Sequence, residues 1–222
     1  MGKGEAMQQR EGLESMERVL RVPTVLKAPH FFYRTKAPQF EREDIDAVVL
    51  AARSYVEEFG IGAAEIKTLG ADKLEKALPG ARKALSRLSA CIQDGAMRIG
   101  MDAVLVCEWA SPHIDHAFAG KAFWSFVLAT GENPYIMQTM HTTVVGGFIE
   151  IVTSTRVLKE GDAFVFDPLT PHLAVPKYSS ADQLLVMLQI ELEDGSGEDR
   201  AKLMEVFPPL ESDGDDGSMI GE

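Results

Sequence analysis

The pattern of apolar and polar positions changes character once along this chain, near residue 102. Before that point apolar residues recur at helical spacing. After it they come in short runs divided by Gly and Pro. In the first part Ile45, Val48, Val49, Ala52, Val56 and Phe59 share one face of a 3.6-residue period, which predicts an amphipathic helix. Glu41, Glu43 and Asp44 stand at its start, where negative charge suits the helix dipole, and Gly60 and Gly62 end it. A second helical stretch begins over 72–78, is interrupted or restarted at Pro79, and continues through Ala81, Leu85, Leu88 and Ile92 to Gly95. These helices are expected to form a layer against a sheet. Over 22–40, Pro23, Pro29 and Pro38 favour extended or irregular chain over helix.

From residue 102 the runs 103–109, 123–129, 135–140, 142–153, 163–166 and 183–192 read as strands. Many short strands with Gly and Pro between them indicate an antiparallel barrel or sandwich. Helices first and strands second indicate an α+β protein, with the helices bracing one outer face of the sheet. Residues 203–207 read as a short closing helix. Residues 1–20 are rich in Gly, Gln and charge, and residues 211–222 carry acids, Gly and Ser but no base. The expected organisation is a single domain over 1–222: a flexible N-terminus (1–20), helical support (40–100), a barrel core (102–193) and a disordered acidic tail (211–222).

Composition narrows the function classes. With 222 residues, 45% of them hydrophobic, the chain can bury a sizeable core. A formal charge of −12 argues against a general nucleic-acid or anionic-membrane surface, since both need clustered Lys and Arg. Cys91 and Cys107 are too few for a disulfide scaffold and read as buried thiols in a reducing compartment. The first residues lack the apolar run of a signal peptide, and no stretch approaches the roughly 20 apolar residues of a membrane span. A cytoplasmic protein acting on a small molecule or a protein side chain is expected.

The candidate chemistry rests on His113-Ile114-Asp115 and on His172, far along the chain. On an extended strand, residues two apart point to one face, so His113 and Asp115 could grip one ion. His172 follows Pro168 and Pro171, in a stiff turn after the strand 163–166. Both pieces fall at strand edges, near a barrel mouth, where ligand sites form. Two imidazoles and a carboxylate on one face suit Fe(II) and leave positions open for substrate and oxygen. A thiolate-rich set would favour zinc, and neither Cys is spaced for that.

These residues resemble the iron(II)/2-oxoglutarate-dependent dioxygenases, and in particular their prolyl-hydroxylase-like members. Glu108-Trp109-Ala110-Ser111-Pro112-His113-Ile114-Asp115 is similar to the strand and turn leading into the first two ligands, and residues 123–131 to the strand after them. Gly161-Asp162-Ala163-Phe164-Val165-Phe166-Asp167-Pro168, then Pro171-His172-Leu173-Ala174-Val175-Pro176, is similar to the run around the distal histidine. The resemblance covers roughly residues 103–192. It implies a double-stranded β-helix (a jelly-roll, cupin-like barrel) braced by the N-terminal helices. It implies Fe(II) held by His113, Asp115 and His172, and 2-oxoglutarate as co-substrate of a hydroxylation. In many such enzymes an Arg or Lys some ten residues after the distal His pairs with the far carboxylate of 2-oxoglutarate. Here that region holds Gln183 and, nearer, Lys177; Lys121, Arg98 and Arg156 are other cations that could enter. The run 161–176 also resembles the second motif of cupins, whose first motif, with two His and a Glu, is matched poorly. A cupin-like metal protein without a keto acid, and a non-catalytic jelly-roll binding module, are the other readings. His116 and His141 are candidate pocket or outer-contact groups, His30 a structural one. Trp109, Phe118, Trp124 and Tyr135 are candidate pocket or core aromatics.

Overall fold

The computed structural model describes residues 32–90, 103–115, 121–145, 148–193 and 203–210. His30, Cys91, Arg98, His116, Phe118, the first 20 residues and the acidic tail lie outside the described residues. The helical layer comprises α1 (Arg42–Phe59), α2 (Ala71–Ala77) and α3 (Ala81–Ala90). The strands are β1 (Phe32–Thr35), β2 (Lys67–Leu69), β3 (Ala103–Cys107), β4 (Ala110–His113) and β5 (Lys121–Ala129). They continue as β6 (Tyr135–Val145), β7 (Phe148–Leu158), β8 (Ala163–Phe166), β9 (His172–Pro176) and β10 (Leu185–Glu193).

Strands β3 to β10 are paired as a nested set. β6 pairs with β7, β5 with β8, β4 with β9 and β3 with β10, each antiparallel. One long hairpin has therefore been folded over itself. Its strands are dealt to two sheets, β1-β8-β5-β10-β3-β2 and β4-β9-β6-β7. That nesting is the double-stranded β-helix, and the helices lie on one side of it, as expected for an α+β protein.

Alternation along the strands builds two cores. On β5, Ala122, Trp124, Phe126 and Leu128 face the helices, as do Val186, Leu188, Ile190 and Leu192 on β10. There they meet Val48, Ala51 and Ala52 of α1, Leu74 of α2 and Leu85 and Leu88 of α3. The opposite faces meet inside the barrel: Phe123 and Val127, Phe164 and Phe166, Leu185 and Met187 pack with Cys107, Ala110, Tyr135, Met137, Leu158 and Ala174. Both faces of the six-stranded sheet are covered, which is why β5 reads as a nearly unbroken apolar run, whereas β10 is apolar over its first four residues and then alternates through Gln189, Glu191 and Glu193.

The structure corrects several element boundaries. The strand expected over 142–153 is divided, because β6 ends at Val145 and β7 begins at Phe148, with Gly146 and Gly147 between them in sequence. β1, β2 and β9 were not expected; each is five residues or shorter and gains its place only by pairing with β8, β3 or β4 and β6. Phe59, expected on the buried face of α1, is exposed and packs on Tyr55 with ring centroids 4.7 Å apart. Trp124 and Tyr135 are fully buried core residues, whereas Trp109 is 37% exposed. Tyr135 donates its hydroxyl to the Glu108 carbonyl at 2.7 Å. Arg156 is exposed on β7, and His141 lies in β6 opposite Val152.

Candidate metal centre

β4 and β9 place His113 directly opposite His172 as Cα partners. Their rings lie side by side, with centroids 4.2 Å apart. Asp115 arrives by a different route from the one alternation predicts. β4 ends at His113, so Asp115 is beyond the strand. Its backbone N–H donates to the Pro168 carbonyl at 2.9 Å. The distal-histidine loop thus holds the second ligand candidate as well as presenting the third.

The sequence of that loop explains its shape. Thr170 N–H donates to the Asp167 carbonyl at 2.9 Å, and Leu169 N–H donates to the Asp167 carboxylate at 2.8 Å. Asp167 to Thr170 is a β-turn reinforced by an Asx contact, with Pro168 at the second position, where its fixed φ is favourable. The chain then enters β9 at His172 with one stiff approach.

Both imidazoles are held in one tautomer. His113 Nδ1 lies 2.7 Å from the Ser111 carbonyl oxygen, and His172 Nδ1 lies 2.8 Å from that of Thr170. A carbonyl only accepts, so each Nδ1 carries the proton and each Nε2 keeps its lone pair. The Nε2 atoms lie 3.8 Å (His113) and 3.7 Å (His172) from the two carboxylate oxygens of Asp115. Those separations exceed hydrogen bonds and match donors sharing one cation. The three donor atoms all fall within 4.8 Å of one another. Burial pushes the His172 imidazole below its ordinary pKa; the Thr170 carbonyl opposes this, His113 adds to it and Asp115 opposes it. A neutral ring is the form a metal needs.

One side of the cluster is walled by aromatics. The Phe166 ring meets His172 edge-on at 5.2 Å, and Phe123 lies 5.5 Å from Phe166. Thr139, 2% exposed, is the Cα partner of His172 on its other side. His113 and Asp115 are half-buried, so the cluster is open to solvent on their side.

The structure does not bring the two expected co-substrate residues to this cluster. Lys177 follows the far end of β9, exposed, with its ammonium over the Tyr178 ring at 5.5 Å. Gln183 donates its amide to the Ser179 hydroxyl at 3.3 Å in the loop leading to β10. Lys121, at the first position of β5, faces the interior and pairs with Glu191 of β10. Ser125, Gln189 and Glu191 share this interior face, and the sequence alone does not single them out. The signal was in the even spacing of Lys121, Phe123, Ser125 and Val127, but in a run apolar on both faces that period is not visible.

Among solved structures, the chain is similar to the non-heme alpha ketoglutarate dependent carbocyclase SnoK from nogalamycin biosynthesis, at 15% identity over 82% of this chain and 90% of that one, with a TM-score of 0.48. AviO1 from Streptomyces viridochromogenes Tue57 is similar at 16% identity over 76% and 91%, with a TM-score of 0.49. A Pseudomonas putida prolyl-4-hydroxylase is similar at 12% identity over 76% and 95%, with a TM-score of 0.41. No protein-family model and no curated protein matches the chain. The fold assignment itself rests on the nested strand pairing.

Proposed function

We propose that this protein is a non-haem Fe(II)/2-oxoglutarate-dependent oxygenase that hydroxylates a small molecule or a protein side chain. The observation that carries this reading is the convergence of His113 Nε2, His172 Nε2 and the Asp115 carboxylate, with both imidazoles fixed by backbone carbonyls. Two neutral nitrogens and one carboxylate on one face are the donor set that leaves positions open for a bidentate oxo acid and for oxygen. Bound there, iron would supply oxygen activation coupled to oxidative decarboxylation of the oxo acid. The chain supplies the rest. Ser111 and Thr170 fix the rings, the Asp167–Thr170 turn fixes Asp115, and Phe123 and Phe166 keep water from one side. A cytoplasmic setting belongs to the same proposal, because a reducing compartment keeps iron ferrous.

The cupin-like alternative would add a glutamate as fourth ligand. Among the described residues no glutamate joins the cluster. The test is anaerobic titration with Fe(II) and then 2-oxoglutarate, followed by the weak visible charge-transfer band and, on admitting air, by succinate. Asp115→Ala is expected to abolish succinate formation and to weaken iron binding strongly. Full turnover by that variant would overturn the assignment.

A further inference from the structure

The barrel interior can be read in layers. At the mouth, His113, His172 and Thr139 lie on one sheet, while Phe166, Phe123 and Glu191 lie in register on the other. One layer deeper, Ala110, Ala174 and Met137 are in register on the first sheet, and Phe164, Ser125 and Gln189 on the second. Below that, Val127 and Met187 face Tyr135.

Ser125 is out of character for its layer. It is fully buried, and its Oγ has no hydrogen-bond partner. It lies on the interior face of β5, between Phe123 and Val127, which pack inside the barrel. Its Cα partner across the sheet is Gln189, on the interior face of β10 between Met187 and Glu191. A buried hydroxyl left without a partner costs on the order of 1–3 kcal/mol, so such groups call for an explanation. The two residues are paired polar groups in an otherwise apolar interior layer, whose facing sheet carries Ala110, Ala174 and Met137. The layer spacing of two strand residues puts that pair roughly 7 Å below the metal cluster along the strands. The interior face of β10 reads Leu185, Met187, Gln189, Glu191, with no cation. Lys121, the cation nearest in sequence on β5, is a layer above Phe123 and is paired with Glu191.

We propose that Ser125 and Gln189 receive the far carboxylate of the oxo acid chelated at the metal cluster, anchoring it with neutral donors instead of a cation. This rests on the co-substrate reading above and names its deep subsite. The Ser125 hydroxyl and the Gln189 amide donate to the carboxylate oxygens. Each such bond is worth less than a guanidinium fork, so the site holds the dicarboxylate weakly and discriminates modestly against 2-oxo acids that lack the second carboxylate.

The test uses the full chain loaded with Fe(II) under argon and reads Kd from the charge-transfer band or by calorimetry. The probes are 2-oxoglutarate and 2-oxobutyrate, which share the chelating end. Ser125→Ala and Gln189→Leu are each expected to raise the Kd for 2-oxoglutarate about 5–10-fold and to leave that for 2-oxobutyrate within twofold. Gln189→Arg is expected to tighten 2-oxoglutarate alone. The metal affinity and the melting temperature of each variant, measured without oxo acid, separate loss of the subsite from loss of the fold. Equal effects on both oxo acids, or none on either, would overturn the proposal. So would a selective loss of 2-oxoglutarate in Lys121→Met with none in Ser125→Ala. If the wild-type protein binds iron but neither oxo acid, the co-substrate reading itself fails, and that result is distinct from a failure confined to the two variants.

Discussion

Phe166 joins the stability of the barrel to the geometry of the cluster, and its removal tests both. The side chain is 3% exposed and sits among four rings: His172 at 5.2 Å, Phe123 at 5.5 Å, Phe164 at 5.9 Å and Phe32 at 6.5 Å. Burying a phenyl ring contributes about 2–3 kcal/mol by transfer alone. The edge and tilted contacts add about 0.5–1.5 kcal/mol per pair, with overlap among them. The neighbours belong to paired strands and cannot collapse into the space, so Phe166→Ala leaves a cavity. The expected loss is about 4 kcal/mol, within the usual 3–5 kcal/mol for this change. For a chain of this size that lowers Tm by about 8–16 °C. Urea unfolding followed by fluorescence and circular dichroism reads the stability directly. The second reading is metal affinity. With the ring gone, His172 keeps its Thr170 bond but loses the edge that sets its tilt, and Fe(II) binding should weaken about tenfold. A stability loss below about 1.5 kcal/mol would refute the packing account. An unchanged iron Kd in a variant that does lose stability would refute the claim that Phe166 orients His172.

Three further expectations follow from other parts of the molecule. Asp44 is 4% exposed and accepts from Arg87 Nε at 2.9 and 2.7 Å, and Arg87 holds its carboxyl below the ordinary value; Asp44→Asn should cost about 1–2 kcal/mol at pH 7. Because the folded-state pKa is lowered, that contribution is present above about pH 4 and is lost as pH falls through the lowered value, so the gap between wild type and variant in urea unfolding should close in acid. A Cβ on Gly131, whose φ is +67°, would lie 2.4 Å from the Asp182 carbonyl oxygen, whereas one on Gly80, at φ +93°, would meet no atom within 4 Å. Gly131→Ala should therefore cost at least about 2 kcal/mol and Gly80→Ala about 1 kcal/mol, and equal losses in thermal melts would contradict this. Burial pushes the Cys107 thiol up to about 12. In a Cys91→Ser background it should react with iodoacetamide at pH 8 at least about 100-fold more slowly folded than in urea, and prompt labelling of the folded protein would show the barrel floor to be open.

The residues that declared the site did so for reasons of local chemistry. His113, Asp115 and His172 stood out because imidazole and carboxylate are scarce in strand-forming sequence, and Pro168 and Pro171 marked a stiff turn presenting His172. What sequence could not convey was pairing. The geometry of His113-Ile114-Asp115 looks like alternation on one strand, yet Asp115 is placed by a hydrogen bond to Pro168 from a loop more than fifty residues away. β9 was hidden for the same reason: five residues containing two prolines' worth of restriction at its edges form a strand only between β4 and β6. The helices were easier, since the period of α1 and α3 is set by a single buried face. Ser125 was illegible because β5 is buried on both sides, so its run does not separate the face toward the helices from the interior face; on β10 the alternation of Gln189 and Glu191 with Leu188, Ile190 and Leu192 marks a distinct face but not what that face turns toward.

That double burial also sets the depth of the chamber. On β5 and β10 the interior face carries polar side chains at Lys121 and Glu191, then at Ser125 and Gln189, and none deeper. Beneath them Val127 and Met187 meet Tyr135, whose hydroxyl is already committed to the Glu108 carbonyl, and Leu185 lies opposite Cys107. Burial at that floor also pushes the Cys107 thiol up, because charge is poorly solvated there. A ligand chelated at the cluster can extend one layer down and find donors; a charged group reaching a second layer would meet only apolar walls and a satisfied phenol. Under the proposed co-substrate reading, the length of oxo acid accepted is set by where the polar residues end on β5 and β10. The sheet that carries the two candidate histidine ligands, with Ala110 and Ala174 one layer below them, contributes no side-chain donor at that depth.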